Sequence, residues 1–151
     1  MKTALKWTAM PALLFFLSVG CDQDNPVAPH NHEHAEAVGL VLFQDSQEIV
    51  RYQDGNMSGE VNLTVGEKTP WLAVSFIDEH DGHLFVPEGD HYSMAWSVAD
   101  ESVAEIEQSA DNIWLFRILG QKQGQTEFEI KIMHEQHADF VSLPIPIQVE
   151  P

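Results

Sequence analysis

Strict alternation of apolar and polar residues is the feature that most limits the folds open to this chain. From 127 to 132 charged residues alternate with Phe128, Ile130 and Ile132, and from 141 to 149 every second residue is a branched aliphatic. A period of two gives an extended strand one buried and one exposed face. Elsewhere short apolar runs alternate with turn residues, without sustained helical spacing. The sequence therefore predicts an all-β sandwich.

The same pattern places nine strands along the chain. Their predicted ranges are 38–43, 48–52, 61–65, 71–77, 93–98, 103–106, 113–119, 126–133 and 140–149, with a short extra strand at 84–86 as an option. The last of them is predicted to bury one aliphatic face, made of Val141, Leu143, Ile145, Ile147 and Val149. Because Pro144 and Pro146 cannot donate ladder hydrogen bonds, this strand is predicted at a sheet edge.

The charge balance limits the partners. The chain has 24 acidic and 7 basic residues, a formal net charge of −17. Phosphate backbones are bound by clustered Lys and Arg, so this balance argues strongly against nucleic acid as a partner. A strongly negative protein does attract cations.

The N-terminal segment has the composition of a secretory signal peptide. Lys2 and Lys6 precede an apolar run from 7 to 19, and small residues come just before Cys21. A membrane-spanning helix needs about 20 apolar residues, and this run is shorter. Residues 1–20 are therefore predicted to be removed on export. The remaining 5 basic and 24 acidic residues give a formal charge of −19.

The sequence L-S-V-G-C, ending at Cys21, resembles the lipobox of bacterial lipoproteins, although its leucine lies four places before the cysteine rather than three. The resemblance implies that Cys21 is lipidated and anchors the chain in the bacterial cell envelope, periplasmic or surface-exposed. An ordinary signal peptide followed by a free thiol is the alternative, since Cys21 is the only cysteine. Residues 21–36 have two prolines and no periodicity, which predicts a flexible tether before a folded domain at 37–151.

Three motifs in the middle of the chain carry a second resemblance. They are L-T-V-G-E at 63–67, W-S-V-A-D-E-S-V-A-E-I at 96–106, and G-Q-K-Q-G followed by T-E-F-E-I-K-I at 120–132. In this order they resemble the bacterial immunoglobulin-like domains of group 2. The resemblance implies a seven-stranded, immunoglobulin-like Greek-key β-sandwich in an exported protein, and it does not imply an enzyme. Two strands before residue 61, predicted as an extra N-terminal hairpin, and a histidine-bearing insertion between 77 and 93 depart from that family.

Histidines are the candidate binding residues. If each short connection reverses the chain, all eight fall at one end of the sandwich. In an extended tether, His30, His32 and His34 point the same way, because the side-chain period of a strand is two. The sequence H-D-G-H at 80–83 predicts a two-residue hairpin that opposes His80 and His83 across the turn. The remaining candidates are His134 and His137, which bracket a tight connection, with Asp81, Glu135 and Asp139 as ligands or outer-shell partners.

Imidazole and carboxylate ligands suit Zn²⁺ first and Cu²⁺ or Ni²⁺ next. The sequence thus predicts a membrane-anchored lipoprotein that captures such an ion, with a metal transporter as a potential partner. The alternative is a structural or adhesive immunoglobulin-like surface lipoprotein, in which the tether is a hydrated spacer and His80 and His83 are ordinary turn residues. His91, beside Tyr92, is interpreted as a packed or surface residue. The chain has no G-x-S-x-G or H-E-x-x-H motif, so no enzyme is predicted.

Overall fold

The computed structural model describes residues 34–151, and the regular elements of that range are all β-strands. They are β1 (Ala37–Gln44), β2 (Gln47–Gln53), β3 (Asn56–Gly59), β4 (Val61–Thr64), β5 (Leu72–Asp78), β6 (Leu84–Phe85), β7 (Tyr92–Val98), β8 (Ala104–Gln108), β9 (Leu115–Gly120), β10 (Gly124–His134), β11 (His137–Val141) and β12 (Ile145–Glu150). Within this range no helix has the length and apolarity needed to cross a membrane.

The strands form two sheets that face each other. The first has the order β3-β2-β1-β5-β9-β8, with β6 on β5, and the second has the order β11-β10-β12-β4, with β7 on β10. Strands β5, β9 and β8 correspond to B, E and D of an immunoglobulin sandwich, and β7, β10 and β12 correspond to C, F and G. The predicted all-β, immunoglobulin-like sandwich is therefore confirmed.

The core lies between the two sheets and follows the period-two pattern of β10. Phe128, Ile130 and Ile132 are each at most 1% exposed, as the alternation predicts. Phe76 of the opposite sheet meets Trp114 edge to face, with ring centroids 5.6 Å apart. Offset and edge-to-face aromatic pairs add to the stabilisation from area burial alone. This core gives the loops at either end a rigid support.

The predicted N-terminal hairpin exists and is extended by a third strand. Asp45 and Ser46, which join β1 to β2, both have positive φ. So do Asp54 and Gly55, at 52° and 75°, and they join β2 to β3. Two central residues with positive φ make the type I′ turn that favours a two-residue hairpin. The gap between the predicted strands 48–52 and 61–65 therefore contains a further strand, because residues 56–59 pair with β2.

Strands β3 and β4 run in the same direction but belong to different sheets. The chain crosses between the sheets at Gly59, whose φ is 83°. A Cβ atom at this position would lie 2.0 Å from the carbonyl oxygen of Ile49. Glycine is required here by both the left-handed backbone and the close approach of β2.

Replacing Gly59 with alanine is expected to destabilise the protein by about 3 kcal/mol, since backbone strain adds to a clash with a main-chain oxygen. Gly55→Ala is the matched control, because Gly55 also has positive φ but has no atom within 4 Å of an added Cβ. That control is expected to cost about 1 kcal/mol. Urea denaturation of both variants measures the difference, and equal losses would contradict the clash.

The C-terminal segment differs from the prediction. Residues 140–149 form parts of two strands, β11 and β12, which both pair with the 11-residue strand β10. Val141 and Leu143 are 46% and 41% exposed, so they do not belong to the buried face. Strand β12 lies between β10 and β4 rather than at a sheet edge. Pro146 is tolerated there because pairing with β4 begins only at Ile147.

Candidate metal-binding site

Strand directions gather the described histidines at one end of the sandwich. Strand β1 begins there, β5 and β10 end there, and β7 begins there. We call this region, formed by residues 34–37, 78–91 and 134–139, the histidine end. It holds His34, His80, His83, His91, His134 and His137. The predicted ligands His30 and His32 and the predicted lipidation site Cys21 lie outside the described residues.

Four side chains of the histidine end converge on a single point. His34, His134, His137 and Asp139 each offer one ligand atom, and these atoms all lie within 4.8 Å of one another. The Nδ1 atom of His34 and the Nε2 atom of His137 lie 3.1 and 3.0 Å from Oδ1 of Asp139. The Nδ1 atom of His134 lies 3.5 Å from Oδ2. We call these four residues the imidazole–aspartate cluster.

The β10–β11 hairpin supplies three members of this cluster. Glu135 and Gln136 form a two-residue turn, with Glu135 at a φ of 53°, so His134 and His137 are directly opposed across the two strands. Directly opposed residues have their Cβ atoms about 5 Å apart on one face. The rings accordingly lie 5.3 Å apart. The predicted tight connection is confirmed, and Glu135 is exposed within it.

A β-bulge brings Asp139 into the cluster. Met133 pairs with Ala138 and Ile132 pairs with Phe140, so Asp139 is the extra residue of β11. A bulged residue is freed from the regular alternation and can point its side chain in a new direction. Asp139, predicted as a ligand or an outer-shell partner, is thereby the carboxylate common to all three imidazoles.

Burial and hydrogen bonding act in opposite directions on the Asp139 carboxylate. Its side chain is only 2% exposed. Burial raises the pKa of Asp139, but the backbone N–H of Ala35, which donates to Oδ2 at 3.0 Å, and the side chain of His34 outweigh it and hold the pKa below its ordinary value. The carboxylate therefore stays ionised at neutral pH.

Replacing Asp139 with asparagine is expected to destabilise the metal-free protein by about 1–3 kcal/mol, since a buried acceptor loses charge-assisted hydrogen bonds. Asp81→Asn is the matched control, because Asp81 also contacts a histidine, His83, but is exposed. Urea denaturation measures both variants. The wild-type advantage is present above the ordinary pKa of aspartate and is lost as the pH falls through the lowered value.

The segment that enters β1 supplies the fourth member of the cluster. His34 precedes Ala35, which is 9% exposed and is fixed by its bond to Asp139. Two residues further on, the Glu36 carboxylate lies 3.3 Å from Nδ1 of His80, and the carbonyl oxygen of Glu36 accepts the N–H of Glu79. The segment thus connects the imidazole–aspartate cluster to the β5–β6 hairpin.

The β5–β6 hairpin differs from the prediction for H-D-G-H. The ladder continues to Asp78, whose N–H donates to the carbonyl oxygen of His83, so four residues form the loop rather than two. The Asp78 carboxylate closes this loop by accepting the N–H groups of His80 and Asp81. His80 and His83 are therefore not a cross-strand pair. His83 instead forms a separate, more exposed group with Asp78 and Asp81.

Acidic residues surround both groups. The histidine end contains Glu36, Asp78, Glu79, Asp81, Glu88, Asp90, Glu135 and Asp139, and within its described residues there is neither Lys nor Arg. The five basic residues of the range 34–151 are Arg51, Lys68, Arg117, Lys122 and Lys131, all outside this end. A surface with one sign of charge raises the local concentration of counter-ions. The field at the cluster therefore favours cations.

Comparisons with known proteins give little to add to this geometry. No protein-family model matches the chain, and a search of curated proteins finds no match. Among solved structures, the crystal structure of domains 4 and 5 of the S-layer protein SbsC aligns with a TM-score of 0.45 and 17% identity. The alignment covers 62% of this chain and 49% of that one, so it spans about half of the SbsC structure. The lipobox and group 2 resemblances stay predictions.

Proposed function

We propose that this chain is an exported, membrane-anchored lipoprotein that binds a transition-metal ion through the imidazole–aspartate cluster and serves to capture or deliver it. The observation that carries the proposal is the convergence of three imidazoles and one buried carboxylate within 4.8 Å. The chain brings them together from two distant segments, 34–35 and 134–139. A set of this composition matches the ligands that divalent zinc takes in proteins.

The donor set also favours binding over chemistry. Three nitrogens and one oxygen fill the four positions of tetrahedral Zn²⁺, whereas a catalytic zinc keeps one position for water or substrate. Imidazole and carboxylate also accept Cu²⁺ and Ni²⁺, so these ions are the next candidates. The low pKa of Asp139 keeps its carboxylate ready to ligate without the loss of a proton.

The position of the cluster suits a role near a membrane. His34 follows Cys21 by 13 residues, and an extended chain of that length reaches about 45 Å. With acyl chains on Cys21, His34 would lie within that distance of the bilayer surface, where an envelope protein such as a metal transporter is the proposed partner. This placement rests on the lipobox resemblance and is tested separately, by the intact mass of membrane-extracted protein.

The metal proposal is tested by calorimetry on the purified protein, with Zn²⁺, Cu²⁺ and Ni²⁺ as the probes. We expect one ion per chain and a Zn²⁺ dissociation constant near micromolar or tighter. At 100 times that concentration, free Zn²⁺ would stabilise the fold by about 2.7 kcal/mol and so raise the melting temperature.

The control for this experiment is His30→Ala/His32→Ala, which removes two histidines of the tether and leaves the cluster intact. It is expected to keep the tight site. A melting temperature that does not depend on metal, or affinity no better than that of a peptide of residues 21–36, would contradict the proposal. That result would leave the structural or adhesive alternative.

A further inference from the structure

His91 places a fourth imidazole against the imidazole–aspartate cluster, outside the four residues that define it. The ring of His91 lies 5.3 Å from the ring of His134, the same separation as between His134 and His137. His34 is further from His134, at 5.8 Å. By ring separation, His91 is thus as close to the buried histidine as the members of the cluster are.

The backbone of His91 is fixed to the turn that carries the cluster. Its carbonyl oxygen accepts the N–H of Glu135 at 3.0 Å, and the next residue, Tyr92, pairs with His134 in the sheet. Only the side chain therefore needs to move for the imidazole to reach an ion. That side chain is 44% exposed, so part of the ring is open to solvent.

The loop before β7 leaves space for this ring. Gly89 has a φ of 103°, and a Cβ atom there would lie 2.5 Å from Cε1 of His91. The ring also contacts Tyr92, with centroids 4.5 Å apart. The carboxylate of Asp90 lies 3.7 Å from Nδ1 of His91. The loop thus holds an exposed imidazole beside the cluster.

We propose that His91 is a fifth ligand of the metal site and sets its choice of ion. The inference rests on the proposed metal-binding function. Zinc in a closed site is almost always four-coordinate, whereas Ni²⁺ and Cu²⁺ form tetragonal complexes with nitrogen and oxygen ligands. Four ligands satisfy Zn²⁺ without His91. An additional imidazole therefore stabilises bound Ni²⁺ or Cu²⁺ more than it stabilises bound Zn²⁺.

The test compares His91→Ala with wild type by competition against a chromophoric chelator, using Zn²⁺ and Ni²⁺ in separate titrations. We expect the Ni²⁺ affinity to fall by about tenfold or more, at least the effect of losing an outer-shell partner. The Zn²⁺ affinity is expected to change by less than about threefold, so the ratio of the two affinities shifts. The visible spectrum of the bound Ni²⁺ is expected to change as well, because one nitrogen ligand is lost.

Two further variants complete the test. His80→Ala removes another histidine of the same end that is not part of the imidazole–aspartate cluster, and it is expected to leave both affinities unchanged. His91→Gln repeats the measurement with a side chain of similar length if the alanine variant unfolds. Wild-type binding with unchanged affinities and spectrum in the His91 variants would overturn the inference alone, as would equal losses for both ions. Absence of wild-type binding would overturn the proposed function first.

Discussion

At pH 5 the protein is expected to bind Zn²⁺ about 10⁴-fold more weakly than at pH 7.5. An imidazole ligates only as the neutral base, and the ordinary pKa of histidine is about 6.5. A histidine side chain in water is mostly protonated at pH 5, so protons compete with the ion at each of the three imidazole ligands. The three costs multiply, which makes the effect far steeper than for a site with one histidine.

The carboxylate of the cluster contributes nothing to this change. The pKa of Asp139 is held below its ordinary value by the Ala35 N–H and His34, against the effect of burial, so the group stays ionised at pH 5. The number of protons released on binding is therefore expected to approach three as the pH falls. Calorimetry in buffers of different ionisation enthalpy counts these protons at each pH.

Folding must be separated from binding in that titration. Circular dichroism of the metal-free protein at each pH shows whether the sandwich persists. An affinity that is equal at pH 7.5 and pH 5, with the fold intact, would mean that histidines do not hold the ion. A release of only one proton would mean that the ion is held by one imidazole and by carboxylates, as the exposed group around Asp78 and Asp81 could provide.

The fold was predictable wherever one strand meets one partner along its whole length. Alternation in 127–132 identified the inner face of β10 because β7 pairs along its whole length with residues 128–134, without a register shift. The pattern over 140–149 was misleading because β10 is long enough to pair with two strands in succession. The buried side changes between Ser142, which is 4% exposed, and Ile145. Periodicity alone cannot show where a partner strand ends.

Strand β3 was missed although a local signal for it exists. Its sequence N-M-S-G is short and mostly polar, so it has no apolar alternation to detect. The preceding Asp54–Gly55 pair is, however, a strong signal for a type I′ hairpin. The predicted strand directions stay correct despite this omission, because β3 and β4 run in the same direction, one after the other.

The site was predictable in its location and only partly in its geometry. The cross-strand histidine pair expected at H-D-G-H occurs at H-E-Q-H instead, because the Asp78 carboxylate accepts two N–H groups and stabilises a longer loop. The bulge at Asp139 depends on the pairing register, which a single sequence does not reveal. Two segments that lie 100 or more residues apart become neighbours only through the sheet order.

Replacing His134 and His137 together with alanine is expected to weaken Zn²⁺ binding by more than about 10³-fold. Two of the four ligands of the cluster are lost, and loss of even an outer-shell partner costs 10–100-fold. The remaining pair, His34 and Asp139, offers only two ligands and is expected to bind Zn²⁺ weakly. Calorimetry and competition with a chelator measure the loss.

The matched control is His80→Ala/His83→Ala, which removes the same number of imidazoles from the same end of the molecule. It leaves the acidic residues of the histidine end and the histidines of the other segments unchanged. If the ion is held by the imidazole–aspartate cluster, this control keeps wild-type affinity. If the ion instead required all the histidines predicted from the sequence, both double variants would lose binding equally.

Replacing the buried His134 is expected to lower the stability of the fold, whereas replacing the exposed His137 tests metal binding without that loss. The His134 side chain is 7% exposed, so its loss leaves space in the hairpin, whereas the His137 side chain is 53% exposed and can be removed without disturbing the core. His137→Ala alone is therefore expected to keep the wild-type melting temperature without metal and to weaken Zn²⁺ binding by at least about tenfold. A single variant that melts normally and binds normally would show that the three-histidine cluster is not the metal site.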